Sequence, residues 1–383
     1  MKIVIAPDSF KESLTALEVA TAIEIGFKEI FPTAEYVKIP VADGGEGTVQ
    51  TMIEATGGKL VDVDVTAPLG DKISASYAMI EDGKTAIIEM AAASGLALVP
   101  PPRRNPLYTT SYGTGELIRS ALDNGARNFI IGIGGSATND GGIGMLQALG
   151  VKFLDSEGLE VSGNALGLEK LAKIDLSQMD KRLKEAHFDV ACDVDNPLYG
   201  PRGASAIFGP QKGATPEMIE RLDVALKKFA EIIEHDLGLE TTDFLGAGAA
   251  GGMGAALKSF MNGTLRQGSE IIMEAVGLDH AVRDADIVIT GEGRIDGQTI
   301  FGKTPIGVAK VAKRYNKPVI GIAGALRKDA EVVYNHGLDA IYSVLYSICS
   351  IDEALQEAFF NLKFASRNIA AAIKIGTYLN DVE

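Results

Sequence analysis

Five stretches of the sequence carry side chains that could do chemistry. "PDSFK" places Asp8, Ser9 and Lys11 within four residues. A carboxylate, a hydroxyl and an ammonium so close can bind and orient a small anion. "ADGGEGT" frames Asp43 and Glu46 with Gly44, Gly45 and Gly47. Glycines that run into a helix present bare N–H groups to an anion, and flanking carboxylates can hold a divalent cation on it. "GEGRIDGQTIFGKTP" carries Glu292, Arg294, Asp296 and Lys303. "FIIGIGGSATNDGGIGM" passes from an apolar run into Gly134, Gly135, Ser136 and Thr138, which reads as a cradle for phosphate or carboxylate. "FDVACDVDNPLYGPRGAS" ends an apolar run with Asp193 and Asp195, spaced to reach one side of a strand. Paired carboxylates there suit Mg2+ or a general base. Two further stretches are more ambiguous. "TTSYGTGELI" gathers hydroxyls ahead of a helix. "FLGAGAAGGMGAALKSF" fits a phosphate loop and close helix packing equally well.

Such groups act only if regular elements hold them. "KIVIA" is a short apolar run, the mark of a strand buried on both faces. "TALEVATAIEIGFKEIF" opens with a capping box, Thr15 with Glu18, and continues at helical spacing. "AEYVKIPVA" predicts a second strand and "VQTMIEAT" a second helix. The same grammar returns late in the chain, in "ADIVIT", "PIGVAKVAKRY", "KPVIGIAG" and "DAIYSVL". Alternating β and α units imply a parallel, doubly wound sheet, with ligands beyond the carboxyl ends of its strands. The middle of the chain alternates differently, and Asp82-Gly83 signals a hairpin. The expected α/β organisation is a Rossmann-like domain formed by residues 1–58 and 281–383. A second, α+β domain, residues 59–280, is inserted, with an active site in the cleft between the two.

Composition narrows the partners. The net charge of −15 repels nucleic acid and anionic membranes, and no stretch reaches membrane-spanning length. Cys192 and Cys349 show no disulfide or metal spacing and read as buried thiols of a reducing cytoplasm. His187, His235, His280 and His336 are scattered and read as structural. An acidic α/β protein with anion cradles and carboxylates, but no histidine or cysteine catalyst, suits phosphoryl transfer. That chemistry rests on positioning, on charge neutralisation by Mg2+ and cations, and on one carboxylate to orient or deprotonate a hydroxyl.

Two motif matches need their context. Gly297, Gly302, Lys303 and Thr304 fit the P-loop pattern letter for letter. The strand "DIVIT" is expected to end at Thr290, so that "GEGRID" intervenes, and "KPVIGIAG" lacks a terminal acid. The match therefore reads as coincidental and the fold as not a P-loop fold, although Lys303 and the helix start could still bind an anion. Gly132, Gly134 and Ala137 also fit the dinucleotide fingerprint, but without its acidic residue on a second parallel strand.

"APDSFKESLTALEVA", "PVADGGEGTV", "GIGGSATNDGG", "DVDNPLYGPRGAS" and "TGEGRIDGQTIFGKTPIGVA" together resemble the bacterial glycerate kinase family, from Met1 to the last helix. The resemblance implies an ATP-dependent kinase acting on D-glycerate, with a two-domain α/β fold and an active-site cleft between the domains. Loop position then suggests the roles. Lys11 and Arg294 hold the glycerate carboxylate or the transferring phosphoryl group. Asp8, Ser9, Glu292, Asp296 and Lys303 line the substrate. Asp43, Glu46, Asp193 and Asp195 share metal and base duties. Gly44, Gly45, Gly47, Gly134, Gly135, Ser136 and Thr138 take phosphate. Two rivals remain, a non-catalytic sugar-acid sensor and an NAD-dependent dehydrogenase of 2-hydroxy acids. The latter needs a Rossmann fingerprint and usually a histidine base. The resemblance leans towards 2-phosphoglycerate as product but leaves 3-phosphoglycerate open. It also leaves open which loops take ATP, and whether the chain forms a homo-oligomer.

Overall fold

The structure is a computed structural model and describes residues 1–42, 47–80, 83–239, 241 and 244–380. The strands in chain order begin with β1 (Lys2–Ile5), β2 (Glu35–Lys38), β3 (Lys59–Thr66), β4 (Lys72–Met79), β5 (Thr85–Glu89) and β6 (Asn128–Gly132). They continue with β7 (Lys152–Leu154), β8 (Lys173–Asp175), β9 (His187–Ala191), β10 (Thr264–Arg266), β11 (Ile287–Ile295), β12 (Val319–Leu326) and β13 (Ala340–Ser343). The chain divides into two compact units. One is Met1–Asp43, Gln50–Thr56 and Ser269–Glu383; the other is Gly44–Val49 and Gly57–Gly268. Residues 269–280 thus belong with the chain ends and not with the insert. The local contacts show why: Ser269 Oγ donates to the Gly302 carbonyl, and the Met273 side chain lies against Gly307.

In the first unit every strand pairs in parallel, in the order β13-β12-β11-β1-β2. Counted within the unit this is 2-1-3-4-5, the flavodoxin-like doubly wound order, and differs from the 3-2-1-4-5-6 order of dinucleotide folds. The order reverses between β1 and β11, so the loops after these two strands flank the switch point, where such sheets bind ligands. Ile3, Val4 and Ile5 are wholly buried, as the continuous apolar run required. The helix Ala16–Lys28 starts at the expected capping box: Glu18 N donates to Thr15 Oγ1, and Thr15 N donates to the Glu18 carboxylate. At Gly26 this helix approaches the helix Ala358–Asn380 so closely that a Cβ would lie within van der Waals contact of the Lys363 carbonyl oxygen.

β11 is longer than the sequence suggested. It runs to Ile295, and Gly291, Glu292, Arg294 and Ile295 pair with Ile322, Ala323, Ala325 and Leu326 of β12. The glycines that read as a loop instead allow close strand approach, since a Cβ on Gly291 would collide with the Ile322 carbonyl.

The second unit carries a mixed six-stranded sheet, β10-β9-β6-β5-β4-β3, beside the small β7-β8 pair. β3, β4 and β5 pair antiparallel, whereas β5, β6, β9 and β10 pair in parallel. The insert is therefore itself partly a parallel α/β unit and not a simple α+β domain. Each unit has its own apolar core, one around Ile5, Ile23, Phe27 and Leu362, the other around Phe129, Phe153, Phe188 and Phe229.

Candidate active site

The loop that leaves β1 is tied to its neighbours by Asp8. One carboxylate oxygen accepts from Ser9 N at 2.7 Å, and the other from Thr304 Oγ1 at 2.7 Å. Asp8 N donates to the Gly291 carbonyl, so the loop also follows β11. Glu12, with φ +69°, adopts the left-handed conformation that non-glycine residues rarely take. These ties shape a pocket of about 420 Å3 lined by Asp8, Ser9, Lys11, Glu12, Glu292, Gly293, Arg294 and Lys303. That volume lies within the usual range for small-molecule sites. The predicted residues of the first and third loops thus share one cavity, except Asp296, which pairs with Arg294.

The cations in this pocket are held differently. Arg294 Nε pairs with Asp296 Oδ2 at 2.9 Å, and Lys303 Nζ with Glu292 Oε2 at 3.2 Å. Lys11 is exposed and has no ion-pair partner among the described residues. Glu292 is buried; its other oxygen accepts from Thr299 Oγ1 at 2.6 Å. Burial pushes its carboxyl above the ordinary range; the bonds from Thr299 and Lys303 oppose this, and nearby Asp296 adds to it. Raised carboxyls cluster at functional sites. The linkage sign follows. A carboxyl whose pKa is raised in the folded state stabilises the fold fully below its unfolded pKa, near 4.5, and loses that contribution as pH rises through the folded value. Glu292→Gln should therefore match the parent protein in thermal stability near pH 4 and exceed it increasingly towards pH 8. A difference in melting temperature that stays flat across this range would contradict the assignment.

The P-loop match looks different in three dimensions. β11 ends two residues before Gly297, so no long loop intervenes, contrary to expectation. An acid is also present beyond β12: a Cβ on Gly297 would lie 2.6 Å from the Asp329 carboxylate. The segment nevertheless spends its donors on itself. Thr299 N and Phe301 N close turns onto the Asp296 and Gln298 carbonyls, Gln298 N donates to Asp296 Oδ1, and Lys303 is held by Glu292. The helix Thr304–Arg314 that follows begins buried, at Thr304, Pro305 and Ile306, and the exposed large apolar side chain of the segment is Phe301.

In the second unit, β6 leads into the glycine loop. Gly134 faces open space, with nothing near its Cβ position, and Gly135 has φ +72°. Ser136 Oγ and the Thr138 carbonyl both accept from Lys212 Nζ, at 2.7 and 2.6 Å. Lys212 is 2 % exposed. Burial pulls its ammonium down to about 7, against the opposing charge of Asp140. Asp140 is wholly buried, which raises its carboxyl; it accepts from Ser111 N, Ser111 Oγ and Gly142 N. The hydroxyl-rich stretch is thus scaffolding for this loop: Thr109 Oγ1 donates to the Ala137 carbonyl, and Ser94 and Thr114 bond each other. The Gly/Ala stretch is packing as well. Ala250, Gly251 and Gly252 are all left-handed, and a Cβ on Gly251 would overlap the Thr138 carbonyl. Two buried polar atoms of the loop, Thr138 Oγ1 and Asn139 Oδ1, have no hydrogen-bond partner among the described residues.

Other predicted residues fare unevenly. Asp43, Gly44, Gly45 and Glu46 lie outside the described residues; Gly47, with φ +88°, precedes the helix Thr48–Thr56. β9 ends at Ala191, so Asp193 and Asp195 stand beyond the strand and its alternation does not align them. Both oxygens of Asp195 accept from Arg202 Nη2, at 2.9 and 3.0 Å. Asp193 accepts from Gly268 N and is exposed. Among the described residues no three His, Cys, Asp or Glu side chains gather into a metal cluster. Mg2+ needs only one or two carboxylates when phosphates supply other ligands. Asp195 is engaged by Arg202 and Asp193 by Gly268 N, and Asp193 is the carboxylate on this loop that would supply such a ligand. Cys349 is exposed and Cys192 only partly buried, so the expectation of two buried thiols does not hold. Among the described residues no helix is long and apolar enough to cross a membrane.

Sequence reasoning missed Lys212 and Asp140. Asp140 at least sat inside a quoted motif; Lys212, in "GPQKGAT", gave no signal, because one lysine in a turn normally reads as solvated.

A family model described as "Glycerate kinase family" matches residues 3–374. The chain belongs to the glycerate kinase family. It is 60% identical over 373 residues to a glycerate kinase of Haemophilus influenzae, covering 97% of this chain and 99% of that one. It is also 60% identical over 376 residues to a glycerate 2-kinase of Escherichia coli, covering 98% and 99%. A crystal structure from Salmonella typhimurium LT2, of a protein assigned as glycerate kinase 2, superposes with a TM-score of 0.92 at 60% identity, over 99% of both chains. Membership of this family makes the chain a phosphotransferase with an alcohol group as acceptor.

Proposed function

We propose that the protein transfers the terminal phosphoryl group of ATP to D-glycerate, giving 2-phosphoglycerate and ADP. The glycine loop carries this reading. Gly134 has an open Cβ position, and among the described residues the buried Thr138 hydroxyl has no hydrogen-bond partner, which leaves a donor for a phosphate oxygen. The first unit's pocket carries the cations suited to an acidic substrate. Lys11 and Arg294 would hold the glycerate carboxylate or the transferring group, and Lys303 and the Thr304 helix start would add positive potential. Asp8, Ser9 and Glu292 would fix these groups and contact substrate, and Asp296 would hold Arg294 in place. The sheet is doubly wound and Rossmann-like in the broad sense, and we read the Gly297–Thr304 segment as part of the substrate loop and not as a P-loop.

Asp193 is the proposed base, orienting or accepting the proton of the attacking hydroxyl. Mg2+, when bound with the nucleotide, neutralises phosphate charge, and Asp193 together with Asp43 or Glu46 would hold it. The remaining work is positioning and charge stabilisation by the chain's own groups. The 2-position is favoured because the Escherichia coli relative is named a glycerate 2-kinase.

ADP release, followed with D-glycerate, ATP and Mg2+, tests the reading, with phosphorus NMR to locate the phosphate. The expected product is 2-phosphoglycerate. Glycerate binding without ADP formation would support a sensor, NADH formation a dehydrogenase, and 3-phosphoglycerate would refute the 2-position.

A further inference from the structure

A buried lysine outside every motif holds the glycine loop from within the second unit. Lys212 lies in the turn Pro210–Lys212, just after the helix Ala204–Phe208. The neighbouring Gly213 is left-handed, and a Cβ there would overlap the Arg104 carbonyl, so the turn is fixed against the rest of the unit. From this anchor the lysine spans to Ser136 Oγ and to the Thr138 carbonyl. A buried ammonium costs several kcal/mol unless its donors are satisfied. A lysine used only for packing would be better replaced by an apolar residue of similar volume. Here both named acceptors belong to the segment proposed to receive phosphate, and Asp140 lies close enough to favour the charged form.

The same loop is fixed on other sides. Gly141 N donates to the Gly251 carbonyl, Asn139 Nδ2 to Ser205 Oγ, and Asp140 is bonded to Ser111. These ties hold residues 139–141. Nearer the open face at Gly134, backbone bonds join Gly135 and Ala137 to Leu96 and Ser94, and among the described residues the side chain of Ser136 is held by Lys212.

We propose that Lys212 is a positioning residue for phosphoryl transfer: its buried Nζ fixes Ser136 and Thr138 so that the loop can receive nucleotide phosphate. It acts through the loop and need not touch ATP. This inference rests on the reading of the glycine loop as the nucleotide cradle.

The test compares Lys212→Met and Lys212→Gln in the full-length enzyme, by steady-state kinetics with each substrate varied and by thermal melting. Lys212→Met keeps the apolar stem and loses the donors. Its KM for ATP should rise about 10- to 100-fold, the scale of a small misplacement of a positioning group, with KM for glycerate unchanged. Lys212→Gln keeps two N–H donors on a side chain one bond shorter, so a smaller rise is expected. A purely structural lysine would lower the melting temperature and leave both KM values alone; that result overturns the proposal. If Lys212→Met does not fold, Lys212→Gln decides, and a parental KM for ATP in that variant overturns it. A Gly134→Val variant separates the two ideas. If it leaves ATP binding intact, the cradle reading fails. If it weakens ATP binding while folded Lys212→Met does not, only the role of Lys212 fails.

Discussion

Gly134→Val should raise KM for ATP more than about tenfold, equivalent to about 1.4 kcal/mol of lost binding, while the protein melts at or slightly above the parental temperature. Gly134 does not need its glycine for backbone reasons, because its φ is outside the left-handed region and nothing lies within 4 Å of its Cβ position. A valine therefore costs no strain in the fold, and it restricts the unfolded chain, which favours folding slightly. Its methyls would instead occupy the open face of the loop, where phosphate oxygens are proposed to sit. The neighbour shows why this position is the informative one. Gly135→Val would force a β-branched residue to φ +72°, so any loss there would mix strain with blocked binding. Parallel titrations of ATP and glycerate, with a melting curve, check the prediction. Unchanged ATP affinity in Gly134→Val would remove the loop from the nucleotide site.

Lys11→Ala should lower kcat/KM by about two orders of magnitude or more, the scale expected for removing a group that stabilises developing charge. The same change should move stability by no more than about 0.5 kcal/mol, as for an exposed residue making no structural bond. Lys11 is exposed and unpaired among the described residues, so its loss strands no partner. Arg294→Ala makes a useful contrast. That arginine pairs with Asp296, a residue 7 % exposed, so its removal takes the counter-charge from a nearly buried carboxylate and should cost stability as well as turnover. Kinetics and melting curves measured together distinguish the two. A Lys11→Ala enzyme with parental turnover would place the substrate elsewhere.

Much of this was legible because parts of the chain follow simple local rules. The apolar run of β1 could only be a doubly buried strand. The Thr15–Glu18 box satisfies orphan N–H groups wherever it stands. The βα alternation implied a parallel sheet, whose carboxyl edge puts Asp8, Lys11 and Arg294 at the ligand end. Where local rules have two physical solutions, the reading failed. Glycine permits both a loop and a close strand approach, so "GEGRI" read as loop although β12 pairs with it. Carboxylates two apart share a strand face only while the strand continues, and β9 stops at Ala191, before Asp193 and Asp195. Residues 269–280, expected in the insert, went where Ser269 and Met273 find partners.

By itself, the sequence determined the α/β alternation, the acidic surface, the family and the stretches that bear its chemistry, because each depends on residue type and short spacing. Tertiary structure alone decided that the first sheet runs 2-1-3-4-5, that the Gly/Ala stretch is packing, and that Lys212 stands inside the protein. Those features depend on contacts between residues far apart in the chain. Lys212 and Ser136 are 76 positions apart, and only folding brings an ammonium that water would otherwise solvate onto the glycine loop.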